Sequence, residues 1–210
     1  MDILAELNPA QKEAVEAIEG PVLILAGPGS GKTRVIAHRV AYLIKVCGVS
    51  PHRIMAVTFT NKAAREMVER LKRLIGERMV GDLTIGTFHA ICARILRQAG
   101  RAIDVDPRFV IYDDEDQISL LKRTLKEIGL DPKQYAPRAL SSAISAAKSS
   151  TITPQEYIKS TKSYFEEVVG RVYERYQATL TESNALDFDD LLMKTVQLFR
   201  SSPETLAKYQ

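Results

Sequence analysis

The chain has 210 residues, of which 45% are hydrophobic and 26% charged, a globular composition with enough apolar residues for a sizeable core. Two cysteines and no apolar run near the roughly 20 residues that span a bilayer exclude a disulfide framework, a zinc site and a membrane protein, so we expect a cytoplasmic chain. Residues 1–112 hold 16 Lys and Arg against 11 Asp and Glu, which suits a polyanionic partner, although a solvated charged surface explains the same excess.

The first 112 residues alternate strand-like and helix-like segments. Apolar runs predict three strands, at Pro21–Ala26, Ile54–Phe59 and from Leu83. The first of these is wholly apolar, which is typical of a strand buried on both faces. Helices are predicted at about 32–46, 62–75 and 88–98, the second capped by Asn61. Strands that alternate with helices indicate a parallel sheet with right-handed crossovers.

The pattern changes near Tyr112, after which helical periodicity dominates and strand signals almost disappear. Helices are predicted at Asp116–Ile128, Pro137–Ser149, Pro154–Ser160, Tyr164–Thr181 and Phe188–Phe199. The sequence therefore predicts a small helical domain that follows, or interrupts, an α/β domain.

A glycine-rich turn between the first predicted strand and its helix carries the strongest chemical signal. Its residues are Ala26, Gly27, Pro28, Gly29, Ser30, Gly31, Lys32 and Thr33. This is the order of a phosphate-binding loop, with Ala26 where a glycine is usual. Glycines let backbone N–H groups surround phosphates, and the helix N-terminus directs partial positive charge at them. We expect Lys32 to reach the β- and γ-phosphates and Thr33 to ligate Mg²⁺.

Four further segments narrow the class of protein, because kinases, transporters, GTPases and helicases all use such loops. They are residues 7–11 (LNPAQ), 58–67 (TFTNKAAREM), 84–90 (TIGTFHA) and 186–192 (LDFDDLL). In this order, together with the phosphate loop, they closely resemble the UvrD/Rep/PcrA type of superfamily-one DNA helicase along the whole chain. The resemblance implies an ATP-dependent motor that translocates on single-stranded DNA and unwinds duplex DNA at junctions, in repair or replication.

The resemblance also implies the fold. It predicts an α/β, RecA-like P-loop NTPase domain, with an incomplete parallel sheet flanked by helices, interrupted by an inserted all-helical domain. We place the first RecA-like part at 1–112, the insertion at 113–185 and the return at 186–210.

The nucleotide contacts outside the loop are carried over from the resemblance. Gln11 is expected to read the adenine edge, since its amide offers both a donor and an acceptor. Arg39 is expected to pack on the adenine, and Arg34 to lie among the nucleotide-binding residues. On the residues alone, a surface position on an amphipathic N-terminal helix is the preferred explanation for Gln11, and a solvated helix face is the preferred explanation for Arg39.

The motifs at 58–67 and 84–90 resemble the family's contacts to single-stranded DNA. The expected contact residues are Phe59, Thr60, Asn61, Lys62, Thr87, Phe88 and His89. Both motifs follow predicted parallel strands, where α/β sheets place their ligands. Stacking of a base on an aromatic ring contributes about 1–3 kcal/mol for any base, which suits a motor that is indifferent to sequence. Core packing is the alternative explanation for the rings, and a hydrogen-bonded core histidine for His89.

Two acidic clusters imitate catalytic motifs. Residues 109–115 (FVIYDDE) read as an apolar strand that ends in acids, but Asp114 with Gln117 predicts a helix capping box rather than a catalytic pair. In LDFDDLL, Asp187 is expected to cap a helix that carries Asp189 and Asp190 in its first turn, where acids are favourable.

The family's Asp-Glu motif is expected to follow shortly after Gln210, and a second RecA-like domain beyond it. We therefore expect a fragment, inactive by itself as an ATPase, whose partners include the C-terminal domains of the same helicase. A regulatory protein that binds nucleotide or DNA without turnover is the alternative. A small-molecule kinase is disfavoured by the two DNA-like motifs.

Overall fold

Helices and short parallel strands alternate in the computed structural model, which describes residues 2–210. The chain forms two compact units, one ending at Ile91 and the other running from Cys92 to Gln210. The predicted α/β class is confirmed. Among residues 2–210, none of the helices combines the length and the apolar content needed to cross a membrane.

The first unit contains two parallel strands, each followed directly by a helix. Its elements are α1 (Pro9–Glu16), α2 (Lys32–Lys45), β1 (Met55–Thr58), α3 (Asn61–Ile75), α4 (Glu77–Gly81), β2 (Thr84–Thr87) and the start of α5 (Phe88–Ala99). β1 and β2 pair in register from Met55 with Thr84 to Thr58 with Thr87. Their carboxyl ends therefore lie side by side, and the first turns of α3 and α5 begin at the same edge.

The core of the first unit lies where α2 and α3 pack together and α3 covers the strands. Met67, Leu71 and Ile75 recur every fourth residue of α3 and are buried. Loss of a fully buried leucine such as Leu71 costs about 2–5 kcal/mol of stability. This core fixes both strand ends relative to the helices that follow them.

The predicted buried strand at 21–26 is wrong. These residues form no regular secondary structure, and the side chains of Leu23 and Leu25 are 81% and 87% exposed. Only Ile24 packs inward, against Leu7 and neighbouring residues. A strand is buried on both faces only where neighbouring strands and covering helices are present, and within residues 2–210 β1 pairs with β2 alone.

The second unit is mainly helical, as the periodicity predicts. It contains the end of α5, β3 (Val110–Tyr112), α6 (Asp114–Glu127), α7 (Pro137–Ser149), α8 (Pro154–Ser160), α9 (Tyr164–Glu182), β4 (Ala185–Asp187), α10 (Phe188–Ser201) and α11 (Pro203–Tyr209). The core lies among α6, α7 and α9 and includes Leu121, Leu140 and Leu180. The predicted limits of α7 and α8 are confirmed at both ends.

A second parallel strand pair joins the two ends of the helical segment. β3 and β4 pair from Val110 with Ala185 to Tyr112 with Asp187. The sequence analysis did not predict β4, because three residues are too short for a periodic pattern. The chain thus leaves this strand pair at residue 113 and returns to it at residue 185.

Of the three helix caps that the sequence predicts, two lie one residue earlier than expected. Thr60, not Asn61, caps α3, because Thr60 is extended and its Oγ1 accepts from the Ala63 N–H at 3.1 Å. Asp113 caps α6, in a capping box with Asp116 rather than Asp114 with Gln117. The predicted cap of α10 by Asp187 is confirmed.

Candidate functional site

The glycine-rich loop leads directly into the N-terminus of α2. Gly29 and Gly31 have φ values of +77° and +85°, which a glycine adopts without strain. Gly31 occupies the N-cap position, and no side chain caps the helix there. The first N–H groups of a helix lack partners within the helix, and they carry its positive dipole end. The loop therefore presents donors and positive potential together, which is what an anion requires.

The Lys32 side chain folds back onto the phosphate loop. Its Nζ donates to the backbone oxygens of Ala26 at 2.8 Å and Gly27 at 2.7 Å. The Ser30 hydroxyl donates to the same Gly27 oxygen at 2.7 Å. Pro28 is exposed, and Thr33 lies half-buried in the first turn of α2. The ammonium group is thus held within the loop by carbonyl oxygens, and none of the carboxylates among residues 2–210 forms an ion pair with it.

Gln11 links α1 to the phosphate loop. Its Oε1 accepts from the Asn8 N–H at 3.1 Å, in a capping box that starts α1, and its Nε2 donates to the Ser30 oxygen at 3.0 Å. A carboxamide has two donor hydrogens and two acceptor lone pairs. One donor and one acceptor site of Gln11 are therefore left over from these two contacts.

The two arginines of α2 also contact the N-terminal segment. Arg34 forms an ion pair with Glu6 at 2.8 Å, and Arg39 donates to the Ala14 oxygen at 3.0 Å. Arg39 follows Lys32 by seven residues, which is about 10 Å along a helix. Among the predicted nucleotide residues, Gln11 and the loop are in direct contact, and Arg39 lies farther along the same helix.

The strand-end surface consists of residues 59–62 and 87–89. The Phe59 ring is 91% exposed and the Phe88 ring 48%. Their centroids lie 5.8 Å apart with the ring planes tilted by 54°. Because both rings are this exposed, core packing does not explain them, and two aromatic faces stand together at the carboxyl ends of β1 and β2.

The polar residues of this surface divide into capping and exposed groups. Thr60 Oγ1 and Thr87 Oγ1 accept from the N–H groups of Ala63 and Ala90, and so cap the first turns of α3 and α5. Asn61 and Lys62 are exposed, whereas His89 is half-buried. The threonines cap the helix starts, and Lys62 supplies an exposed positive charge in the first turn of α3.

A groove of about 560 Å³ borders the strand-end surface. It is lined by Asn61, Ala64, Arg65, Val68, Glu69, Ile85, Gly86 and Ala90. Its lining includes Asn61 and Ala90, which lie two residues after Phe59 and Phe88 along the chain. The rings therefore stand next to a concave surface that also carries the exposed Arg65 side chain.

A buried charge cluster in the second unit was missed by the sequence analysis. Lys148 Nζ lies 2.7 Å from Asp187 Oδ2 and 2.8 Å from Asp190 Oδ1, and all three side chains are at most 2% exposed. Burial raises the pKa of Asp190 above its ordinary value, although the Lys148 ammonium opposes this change. Burial, and then the nearby carboxylates, raise the pKa of the Tyr176 hydroxyl, so that it stays a donor.

One signal in the sequence could have found this cluster. Leu140, Ile144 and Ala147 mark the apolar face of α7, and Lys148 falls four residues after Ile144 on that same face. A lysine at a core position requires a buried partner, because an unpaired buried ammonium is very costly. LDFDDLL is one of the two acidic clusters that the sequence analysis identified, and its acids are therefore candidate partners for such a lysine.

Comparison with known proteins identifies a matching family and several similar proteins. Residues 7–210 match the model of the UvrD/REP helicase N-terminal domain. The chain is 48% identical over 204 residues to the ATP-dependent DNA helicase PcrA of Leuconostoc citreum, covering 97% of this chain and 27% of the relative. It is also 48% identical over 208 residues to PcrA of Bacillus subtilis, covering 99% and 28%. The chain thus spans little more than a quarter of these relatives.

Proposed function

Because the chain belongs to the UvrD/REP helicase N-terminal domain family, we propose that it is the N-terminal part of an ATP-dependent DNA helicase. In this proposal the whole protein translocates on single-stranded DNA and unwinds duplex DNA at junctions, in repair or replication. The observation that carries it is the presence, in one compact unit, of an uncapped glycine-rich helix start and two exposed rings at paired strand ends.

ATP phosphates are proposed to bind at the start of α2. Lys32 is already held inside the loop by two carbonyl oxygens, so phosphate oxygens need only replace these weaker acceptors. Thr33 offers a hydroxyl oxygen, the kind of ligand that Mg²⁺ takes alongside waters and phosphates, so the residues present fit this ion. Bound Mg²⁺ supplies charge neutralisation on the β- and γ-phosphate oxygens.

The adenine is proposed to bind beside α1. Gln11 already contacts the loop at Ser30, and its remaining donor and acceptor sites can pair with a base edge. Arg39 is proposed to cover the base, since its Nη1 contact with Ala14 holds the guanidinium near α1. A planar guanidinium stacks well on an aromatic base. Arg34, paired with Glu6, is proposed to act next to the phosphates.

Single-stranded DNA is proposed to bind across the strand-end surface. Phe59 and Phe88 offer faces for bases, and Lys62 and Arg65 are exposed beside them to meet phosphates. The proposed contacts also include Thr60, Asn61, Thr87 and His89. Because ring stacking and phosphate contacts do not distinguish one base from another, binding should show little sequence preference.

The proposed domain plan has a first RecA-like domain at 1–112 and 186–210, with an inserted helical domain at 113–185. Its support is the β3–β4 pair, which places the start and the end of the helical excursion on neighbouring strands. In this plan the RecA-like part extends across the division after Ile91.

Turnover of ATP is proposed to require more than these 210 residues. Phosphoryl transfer depends on a positioned water and on cations at the γ-phosphate. Asp113 and Asp116, two of the acids after β3, form the capping box that starts α6, in which Asp113 Oδ1 accepts from the Glu115 and Asp116 N–H groups. We propose that the remainder of the helicase supplies the missing groups.

The test uses the whole protein that contains this chain. Phosphate release should rise when oligo-dT is added, and a duplex with a single-stranded tail should be separated in an ATP-dependent manner. The Lys32→Ala variant should lose both activities. ATP hydrolysis that ignores DNA, or that survives in Lys32→Ala, contradicts the proposal and favours a regulatory binding protein or a small-molecule kinase.

A further inference from the structure

The buried charge cluster lies where the helical segment meets the strand pair to which it returns. Lys148 stands in the last turn of α7, and its side chain is fully buried. Asp187 ends β4, and Asp190 lies in the first turn of α10. The lysine therefore reaches from a helix of the segment 114–184 to the strand and helix that follow it.

Each of the two carboxylates both caps a helix and pairs with Lys148. Asp187 Oδ1 accepts from the Asp190 N–H at 2.8 Å, and Asp190 Oδ2 accepts from the Asp187 N–H at 3.3 Å. These bonds form the capping box that starts α10. The other oxygens, Asp187 Oδ2 and Asp190 Oδ1, face Lys148 at 2.7 and 2.8 Å. The start of α10 and the contact with α7 are thus fixed by the same two side chains.

Helix α9 completes the enclosure of the cluster. The Tyr176 hydroxyl donates to Asp187 Oδ2 at 2.9 Å, and the Gln177 amide donates to Asp190 at 3.2 Å. The rings of Tyr173 and Tyr176 flank the ammonium at 5.9 and 5.2 Å. Three separate helices therefore converge on one ammonium and two carboxylates, with directed bonds from each.

Such a cluster contributes more to the relative orientation of the helices than to the free energy of unfolding. Removing charges from water is costly, and well-packed apolar groups of similar volume often serve as well or better. Apolar groups, however, tolerate sliding and rotation, whereas an ammonium held by two carboxylates has few alternative arrangements. The buried leucines of α6, α7 and α9 already supply the apolar core.

We propose that Lys148 is a positioning residue that fixes the orientation of α7 and α9 on the first turn of α10. It thereby sets how the helical segment 114–184 stands on the β3–β4 pair. In this role Asp187 and Asp190 join α7 and α9 to the start of α10. The role depends on neither nucleotide nor DNA.

The test measures an orientation directly. Spin labels at Ser142→Cys on α7 and Gln197→Cys on α10 report the distance between two exposed positions by pulsed electron paramagnetic resonance. The free cysteines at 47 and 92 are first replaced by serine. Circular dichroism of every variant, recorded at the same temperature, shows whether it is folded.

Three variants separate the effect of Lys148 on helix orientation from the energetic cost of burying charge. Lys126→Met, which alters an exposed lysine of α6, should keep the narrow wild-type distance distribution. Lys148→Met leaves two buried carboxylates without their cation and should melt at a lower temperature. The triple variant Lys148→Met, Asp187→Asn, Asp190→Asn removes all charge, and we expect it to be folded with a broadened or shifted distribution.

Three outcomes overturn the proposal. If the folded triple variant keeps the wild-type distribution, apolar packing alone sets the orientation and Lys148 does not. If the triple variant fails to fold at all, the cluster sustains folding itself rather than the orientation of a folded segment. A broad distance distribution in the Lys126→Met control also contradicts the proposal, because α7 and α10 would then move relative to each other although Lys148 is present.

Discussion

Phe59 is the residue whose replacement separates DNA binding from folding most cleanly. Phe59 is 91% exposed, and its ring centroid lies 5.8 Å from that of Phe88. Phe59→Ala should therefore change the free energy of unfolding by no more than about 0.5 kcal/mol, as exposed positions usually do. Loss of one stacked base costs about 1–3 kcal/mol, so the Kd for single-stranded DNA should rise about 5- to 150-fold.

Fluorescence anisotropy with labelled oligo-dT at two salt concentrations measures this effect. An uncharged ring releases no counterions, so Phe59→Ala should weaken binding equally at both concentrations. Lys62→Ala should instead reduce the slope of log K against log salt by about 0.7 if Lys62 neutralises one phosphate. Phe165→Ala, which removes a 45% exposed ring from the helical segment, is the matched control and should bind as the wild type does.

Three results would refute this reasoning. Equal affinity of Phe59→Ala and the wild type would remove the ring from the DNA surface. An equal loss in Phe165→Ala would show that any exposed ring contributes non-specifically. A wild-type chain that binds no oligo-dT even at low salt would show that residues 58–67 and 84–90 are insufficient for binding without the rest of the helicase.

Four further outcomes are expected. Lys32→Ala should abolish the weak binding of ATP-Mg²⁺ by this chain in calorimetric titration, and equal binding would exclude Lys32 from the site. Gly31→Ala should destabilise the chain by about 1–2 kcal/mol, because φ there is +85° and a Cβ would stand 3.0 Å from Gln11 Nε2; Gly27→Ala, which meets no atom within 4 Å, should be neutral in the same denaturant titration. Steady-state phosphate release by the isolated chain should stay well below about one per second with or without DNA, and a faster rate would show that residues present here complete the ATPase. Burial raises the pKa of Asp190, so the stability that depends on its protonated form is complete below about pH 3.9 and is lost as pH rises through the folded-state pKa. Scanning calorimetry from pH 4 to 8 should therefore show Asp190→Asn gaining in melting temperature relative to the wild type as pH rises, and a constant difference would contradict this.

Local chemistry was enough to predict most helices and the strand ends that carry the candidate DNA contacts. Pro137 and Pro154 sit at the first positions of α7 and α8, where a missing N–H costs nothing, and both helices begin there. The Thr-Phe and Thr-Phe-His turns follow strands whose apolar runs are readable in the sequence. The glycine-rich loop was recognisable because its function requires particular residues at particular spacings.

Burial, in contrast, was decided by the tertiary structure. The run at 21–26 is the most apolar in the first unit, yet Leu23 and Leu25 are exposed, because a strand is covered only by neighbours that the segment itself does not encode. Lys148 is charged, yet it is buried, since two acids about forty residues along the chain meet it through the packing of α7 and α9. The sequence by itself determines backbone propensities, caps and loop chemistry, which act over a few residues. Which side chains leave water depends on contacts between distant segments, and those exist only once the chain has folded.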